Sequence, residues 1–124
     1  MSVELREIRT DELDDALRFM GEHGGITSPT QARHDLSLLA RDGDGKTLGA
    51  AVLHRVAETA AVLQVALAEA LADDDACRLI DKALLKAQTG RLRRVRIMVL
   101  DGERQQRLWE AQDFLKHGVQ GDAA

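Results

Sequence analysis

The chain has 124 residues, of which 44% are hydrophobic and 31% charged, and a formal net charge of −4. These values predict one globular domain and exclude a chain that is disordered throughout. The acidic balance and an aromatic content of only 2% disfavour nucleic-acid binding, which normally uses basic surfaces and aromatic stacking. A single cysteine, Cys77, excludes a disulfide framework and a zinc site built on cysteines.

No segment predicts membrane contact. The longest mostly apolar run, residues 60–72, contains Gln64 and Glu69 and is too short to span a bilayer. Charged residues follow Met1 almost at once, unlike the start of a secretory signal. Together with the lone thiol, these features predict a cytoplasmic protein.

The first half of the chain predicts a strand, a helix and a hairpin. Alternating residues indicate a strand over residues 3–8, and Thr10 offers an N-cap hydroxyl for a helix that runs to Met20 and ends at glycines. Residues 36–41 and 47–55 predict two strands, because the Asp-Gly pairs between them suit a tight hairpin turn.

The second half predicts a strand–helix–strand–helix unit. Residues 60–68 are apolar on both faces, as in a central strand with helices on both sides. A helix over residues 73–88, a strand over 92–100 and a helix over 103–117 follow. The predicted fold is α/β of the α+β type, a mixed, partly antiparallel sheet with helices on both faces. Its order is β-α-(loop or short α)-β-β-β-α-β-α, with a parallel crossover in the second half.

This order, together with segments 5–17 and 108–119, resembles the GNAT superfamily of acyl-CoA N-acyltransferases. Residues 5–17 are similar to the family's opening strand and helix. Residues 108–119 are similar to its last helix running into a Gly-Phe pair, here Gly118-Val119. The resemblance covers residues 3–119 and implies a single GNAT-like domain over residues 1–119 with a short tail, residues 120–124. It also implies acyl transfer from acetyl-CoA or another acyl-CoA to a small amine.

The family binds the CoA pyrophosphate at a loop like Arg-x-x-Gly-x-Gly/Ala between the central strand and the next helix. Here that place falls on residues 69–75, which contain four carboxylates and neither glycine nor arginine. Each such charge repels a pyrophosphate by on the order of 1 kcal/mol, even in water-like surroundings. The residues that the resemblance assigns to the cofactor are Val65, Leu67, Ala70, Ala72 and Asp73.

Two positions of the last helix also depart from the family pattern. The tyrosine that many members place four residues before the final glycine is Phe114 here, which cannot donate a proton. The asparagine that often stands a turn or two earlier is Arg107. We expect Phe114 and Trp109 to pack in the core.

The resemblance implies a base near the acceptor amine, and two residues are candidates. Glu69 lies at the end of the strand where the acyl group would sit, and its alternative interpretation is a loop carboxylate in water. His54 ends a strand near the middle of the fold with a reference pKa of about 6.5; its alternative interpretation is a partly exposed histidine without a catalytic role. No metal site is expected, because no two of the four histidines share a face by their spacing: His23, His34, His54 and His117.

The densest basic run is residues 91–96, which contain four arginines. It predicts either a phosphate or nucleic-acid patch or the charged protection of an edge strand. The resemblance implies further strands after the last helix, and only residues 120–124 remain for them. We therefore expect the strand from Leu92 to Leu100 to be an edge that pairs with a second copy, giving a homodimer, or with another protein.

Three function hypotheses remain open at this point, and the one with the least support is phosphate or nucleic-acid binding through Arg91, Arg93, Arg94 and Arg96. Of the other two, one is an active acyl-CoA-dependent N-acyltransferase with an atypical phosphate loop, in which residues 23–30 help to shape the acceptor pocket. The other is a non-catalytic GNAT-fold binding or regulatory module that needs no cofactor and associates through its edge strand. Binding of acetyl-CoA would distinguish them.

Overall fold

The computed structural model describes residues 3–28, 32–100 and 102–111, which form five strands and three helices. In chain order these are β1 (Glu4–Glu7), α1 (Leu13–Glu22), β2 (Leu38–Arg41), β3 (Thr47–Ala57), β4 (Ala60–Leu67), α2 (Asp73–Thr89), β5 (Arg94–Val99) and α3 (Gly102–Ala111). Short 3₁₀ turns stand before α1 and before β2.

The strands form one sheet in the order β1-β2-β3-β4-β5. The first three pairings are antiparallel, and β4 and β5 are parallel because α2 connects them as a crossover. β3 and β4 lie in the middle of the sheet, and β4 is almost wholly buried on both faces. The predicted mixed sheet and its element order are confirmed.

Helices cover both faces of this sheet, as predicted. On the α1 face, α1 packs its buried Met20 and Leu17 against Val52 and neighbouring small residues of β3 and β4. On the opposite α2 face, α2 and α3 bury apolar side chains against β3, β4 and β5, and Trp109 of α3 belongs to this core as expected. Each fully buried large side chain contributes about 1.5–3 kcal/mol, so all three helices are held on the sheet by their apolar stripes.

Two glycines occupy positions where a larger residue would be strained or would contact its neighbours too closely. Gly45 has φ of 80° in the β2–β3 turn, which fits the predicted Asp-Gly hairpin. Gly49 lies under α2, and a Cβ there would be 3.1 Å from Leu79 Cδ2 and 3.2 Å from Leu71 Cδ2. Its missing side chain lets α2 and the turn before it lie close to β3.

The start of α1 differs from the prediction. Thr10 is not the N-cap, because it lies in the 3₁₀ turn over residues 10–12 and α1 begins at Leu13. The Glu12 carboxylate accepts the Arg9 N–H at 3.1 Å and so caps this turn from within. A charged acceptor binds a backbone N–H more strongly than a hydroxyl does, which explains why the chain turns here before the helix begins.

The start of β5 also differs. β5 begins at Arg94 rather than at Leu92, because Arg91 has φ of 58° and turns the chain just before the strand. The N–H groups of Arg93 and Arg94 then donate to the Thr59 carbonyl oxygen at 2.8 and 3.1 Å. Within the described residues β5 pairs only with β4, so it forms an edge of the described sheet as expected.

Some expectations fall outside the described residues. These include the end of the last helix with Phe114 and His117, and the boundary between the domain and its tail. Within the part that the structure describes, no helix is long and apolar enough to cross a membrane. Over the same residues, no three His, Cys, Asp or Glu side chains converge in a way that could hold a metal ion.

Candidate functional site

One candidate site lies at the sheet edge where β4 ends and α2 begins. After Leu67 the chain turns, with the Leu71 N–H bonded to the Ala68 carbonyl oxygen at 3.0 Å, and α2 starts at Asp73 after an extended Ala72. We call residues 68–72 the β4–α2 turn. Alanine cannot cap a helix, so the first-turn N–H groups of this 17-residue helix receive no N-cap side chain. These groups and the helix dipole give the edge a partial positive charge.

Two arginines of α3 reach this turn. The Arg104 guanidinium donates to the carbonyl oxygens of Ala68, at 3.1 Å, and Leu71, and to the Asp73 carboxylate at 3.2 Å. Arg107 donates to the same carboxylate at 3.4 Å. The Arg104 side chain is 19% exposed, whereas that of Arg107 is 65% exposed. Arg104 therefore fixes the turn, and Arg107 brings a solvent-facing positive charge to it.

The aspartates at the start of α2 are largely balanced by arginines. Asp73 pairs with the two α3 arginines, and Asp75 pairs with Arg78 at 2.9 Å. Asp74 is exposed and has no arginine partner among the described residues. The three carboxylates thus have three guanidinium groups close by, and their repulsion of an anion is weaker than the sequence alone predicts.

A buried amide joins α3 to the middle of β4. Gln105 is fully buried; its Nε2 donates to the Val65 carbonyl oxygen, and its Oε1 accepts from Trp109 Nε1 at 3.3 Å. Val65 is the last residue of β4 that pairs with β5. Gln105 therefore satisfies a strand carbonyl at the point where the parallel pairing ends.

The five residues predicted to contact a cofactor lie along β4 and its turn. Val65 and Leu67 are buried in the core of the α2 face. Ala70 and Ala72 are exposed on the turn, and Asp73 is exposed at the start of the helix. Of these five residues, Asp73 contacts the two α3 arginines.

Sequence patterns alone did not assign the α3 residues to this site. In a β-α-β-α unit the ends of the two parallel strands share one sheet edge, so the first turns of α2 and α3 lie near each other. Arg104 and Arg107 stand one turn apart at the start of the last helix, and this spacing was the available signal. Gln105 gave no such signal, because a buried glutamine between arginines looks like part of a polar helix face.

Another candidate site lies on the α1 face, around His54 of β3. His54 is fully buried rather than partly exposed, and neither ring nitrogen has a hydrogen-bond partner among the described residues. Burial lowers the pKa of the His54 imidazole, and the nearby backbone groups of Ile26 and Val52 oppose that shift only in part. The ring is therefore a neutral imidazole at pH 7 whose buried nitrogens lack hydrogen-bond partners among the described residues, an arrangement that costs folding free energy.

Gln64 of β4 is a polar neighbour of His54 on the same face. His54 pairs with Val62, two residues before Gln64, which places the two polar residues diagonally at roughly 7 Å. Gln64 Oε1 accepts the Ile26 N–H at 2.7 Å and so holds the segment after α1 over the sheet. Gln64 Nε2 lies against the sulfur of Met98, whose side chain is 41% exposed.

The two predicted base candidates are not brought together. Glu69 is exposed in the β4–α2 turn, whereas His54 lies opposite Val62. At about 3.3 Å per residue, β4 from Val62 to Leu67 alone spans roughly 17 Å. The two side chains therefore cannot act on the same proton.

Comparison with solved structures identifies the fold. The crystal structure of an acetyltransferase of the GNAT family from Streptococcus pneumoniae superposes with a TM-score of 0.61, at 18% identity, over 94% of this chain and 83% of that one. The chain has the GNAT fold. The resemblance expected from the element order is thereby confirmed.

Two further solved structures also match the fold of this chain. A Mycobacterium tuberculosis protein in complex with CoA has a TM-score of 0.61 and 19% identity, covering 98% of this chain and 75% of that one. Mutant forms of the spermidine/spermine N-acetyltransferase from Vibrio cholerae have a TM-score of 0.60 and 16% identity, covering 90% and 78%. No family model and no curated protein sequence matches the chain. At 16–19% sequence identity, the similarity between this chain and the three solved structures concerns the fold alone.

Proposed function

We propose that this chain is an N-acyltransferase that binds acetyl-CoA or another acyl-CoA at the β4–α2 turn. The observation that carries the proposal is the placement of Arg104 and Arg107 beside the start of α2, which has no side-chain N-cap. Backbone N–H groups at a helix start and guanidinium groups are the donors that proteins use for phosphates. This donor set fits a pyrophosphate, although the turn contains no glycine. The CoA complex of a neighbour with the same fold supports the choice of cofactor.

Several residues of this chain would hold the cofactor. Ala70, Ala72 and Asp73 would offer backbone N–H groups to the pyrophosphate, and the small alanine side chains allow a close approach. Arg107 would add its exposed guanidinium. Val65 and Leu67 belong to the strand beside which the pantetheine arm would lie. When bound, acyl-CoA supplies an acyl group activated as a thioester.

We assign the role of base to His54 in preference to Glu69. The His54 imidazole has no hydrogen-bond partner among the described residues, and its lowered pKa keeps it unprotonated at pH 7, so it would accept a proton from an amine once substrate binding uncovers the buried ring. Glu69 is exposed to water at the far end of β4. If His54 is the base, His54→Gln abolishes acyl transfer and Glu69→Gln retains it. If Glu69 is the base, Glu69→Gln abolishes acyl transfer and His54→Gln retains it.

Binding of the cofactor is tested by isothermal titration calorimetry with acetyl-CoA. We expect the wild-type chain to bind, and Arg107→Gln to bind about tenfold more weakly through the loss of a charge-assisted contact. Lys82→Gln removes the same charge from an exposed position of α2 away from the turn and should bind like the wild type. Absence of binding at millimolar acetyl-CoA would contradict the proposal.

An alternative candidate function follows from β5. In the described sheet this strand pairs only with β4, and an edge strand offers backbone N–H and C=O groups to a partner strand. The chain would then be a GNAT-fold module that associates through β5 with a second copy or with another protein. Sedimentation velocity over a range of concentrations tests the homodimer, and a monomer at every concentration contradicts it.

A further inference from the structure

The strand β1 forms the edge of the described sheet opposite to β5, where it pairs only with β2. The Ile8 N–H, just after β1, continues this pairing and donates to the Ser37 carbonyl oxygen at 3.0 Å. In an antiparallel ladder every second residue bonds the same neighbour, so the backbone groups of Leu5 and Glu7 face away from β2. β1 therefore presents the N–H and C=O groups of these two residues to a further strand.

An open groove of about 230 Å³ lies beside β1 on the α2 face. It is lined by Leu5 of β1 and by one stripe of α2, which contains Arg78, Asp81, Lys82 and Leu85. Leu85 is 57% exposed, so a large apolar side chain stands in water next to the free strand edge. The charges at the groove have both signs and favour neither a polyanion nor a polycation. An apolar centre with a rim of mixed charge is typical of a protein–protein contact.

The charges of β1 select one way of pairing it with β1 of a second copy. Glu4 and Arg6 lie on the α1 face of the strand, and Leu5 lies between them on the α2 face. The outward backbone groups allow antiparallel registers that differ by two residues. In the register centred on Leu5, Glu4 of each copy lies opposite Arg6 of the other. The two neighbouring registers place Glu4 opposite Glu4 or Arg6 opposite Arg6, which is destabilising.

The surroundings of Arg6 carry an excess of positive charge. Its guanidinium pairs with the Glu12 carboxylate, and the same carboxylate also pairs with Arg41 at 3.1 Å. One carboxylate thus serves two guanidinium groups. Glu4 is exposed, so Glu4 of a second copy would supply the second negative charge while Arg6 keeps its contact with Glu12.

We propose that the chain self-associates through β1, as a two-fold dimer in which the two β1 strands pair antiparallel about Leu5. The sheets of both copies then join into one. A two-fold axis perpendicular to this sheet keeps α2 of both copies on the same side, so the two grooves open toward each other and cover Leu5 and Leu85. The inference does not depend on acyl transfer, and it uses the sheet edge opposite to β5.

Sedimentation velocity and amide hydrogen exchange test the dimer and locate its contact. A four-residue strand forms a small interface, so we expect the 13.6 kDa chain at low concentration and a reversible species of twice that mass at high concentration. The N–H groups of Leu5 and Glu7 should exchange more slowly as the concentration rises, whereas those of β5 should not change. A monomer at every concentration, or slowed exchange confined to β5, would overturn the inference.

Three variants test the pairing register and the groove. Glu4→Gln removes both cross-copy attractions and should weaken self-association about fivefold. Glu22→Gln removes the same charge at the exposed end of α1 and should associate like the wild type. Leu85→Ser leaves β1 unchanged and should also weaken association, and thermal unfolding checks that each variant is folded. The inference fails if Glu4→Gln and Leu85→Ser both associate as tightly as Glu22→Gln.

Discussion

The Arg104 guanidinium donates to the Asp73 carboxylate at 3.2 Å, and this contact joins the first turns of α3 and α2. Arg104 also binds carbonyl oxygens of the β4–α2 turn, so one side chain sets the shape of the turn and offsets its charge. Part of the negative charge that the sequence concentrates at residues 69–75 is thereby offset. Asp73 is the residue whose removal shifts that balance most directly.

Asp73→Asn is expected to tighten acetyl-CoA binding about fivefold. The substitution removes a negative charge of the proposed phosphate site, an effect of about 1 kcal/mol, and releases Arg107. Arg104 keeps its two carbonyl partners, so the turn should retain its shape. Calorimetry measures the affinity, with Asp81→Asn on the exposed side of α2 as the control. An unchanged or weaker affinity for Asp73→Asn would contradict the assignment.

Gln105→Leu is expected to lower the free energy of unfolding by about 2–3 kcal/mol. The change leaves the buried carbonyl oxygen of Val65 and the Nε1–H of Trp109 without the partners that Gln105 provides. The neighbouring Gln106 is exposed and, among the described residues, is bonded to Glu110, so Gln106→Leu should change stability by less than about 0.5 kcal/mol. Urea denaturation of both variants measures the difference, and equal losses would count against the Gln105 contact.

Glu12→Gln is expected to cost about 2 kcal/mol of stability. The Glu12 side chain is 10% exposed and pairs with Arg6 and with Arg41, the latter at 3.1 Å. Breaking a fully buried pair costs about 3–5 kcal/mol, and the partly exposed arginines reduce this value. Asp15→Asn serves as the control, because its pair with Arg18 is exposed and should contribute less than about 0.5 kcal/mol. Thermal and urea unfolding measure the stability of both variants, and an equal loss of stability in the two would refute the expectation.

His54 is expected to make stability fall at acidic pH. Burial lowers its pKa in the folded chain below the ordinary value of 6.5, so the unfolded chain binds a proton first as the pH falls. The free energy of unfolding then decreases from pH 6.5 downward, and no such contribution exists above it. Urea denaturation from about pH 8 to about pH 5 measures this slope. His54→Gln should lose this part of the slope and His23→Gln should keep it; the opposite pattern would contradict the burial of a neutral His54.

The strands and helices could be predicted because local patterns determine them. Residues 60–68 are almost wholly apolar on both faces, as in a central strand between helices, and β4 is that strand. The start of β5 could not be placed, because the left-handed turn at Arg91 sits inside a run of arginines without a distinctive local signal. The start of α1 depends on a carboxylate that is charged and buried, and the sequence pattern does not indicate that burial.

The candidate site was only partly predictable for a related reason. Periodicity places His54 on one face of β3, but the burial of its ring depends on the segment after α1, which Gln64 holds through Ile26. Likewise, nothing local to residues 69–75 shows that Arg104 and Arg107 come from α3 to balance the aspartates. Such contacts arise from the packing of distant elements, so they follow from the topology only once it is known.

The proposed cofactor site is tested most simply by titrating acetyl-CoA into the labelled protein and following the backbone amides by NMR. We expect shifts that cluster on residues 65–76 and on the first turn of α3, with smaller shifts in Arg107→Gln at the same ligand concentration. No shifts at millimolar acetyl-CoA, or shifts confined to β1 and β2, would contradict a cofactor site at the β4–α2 turn.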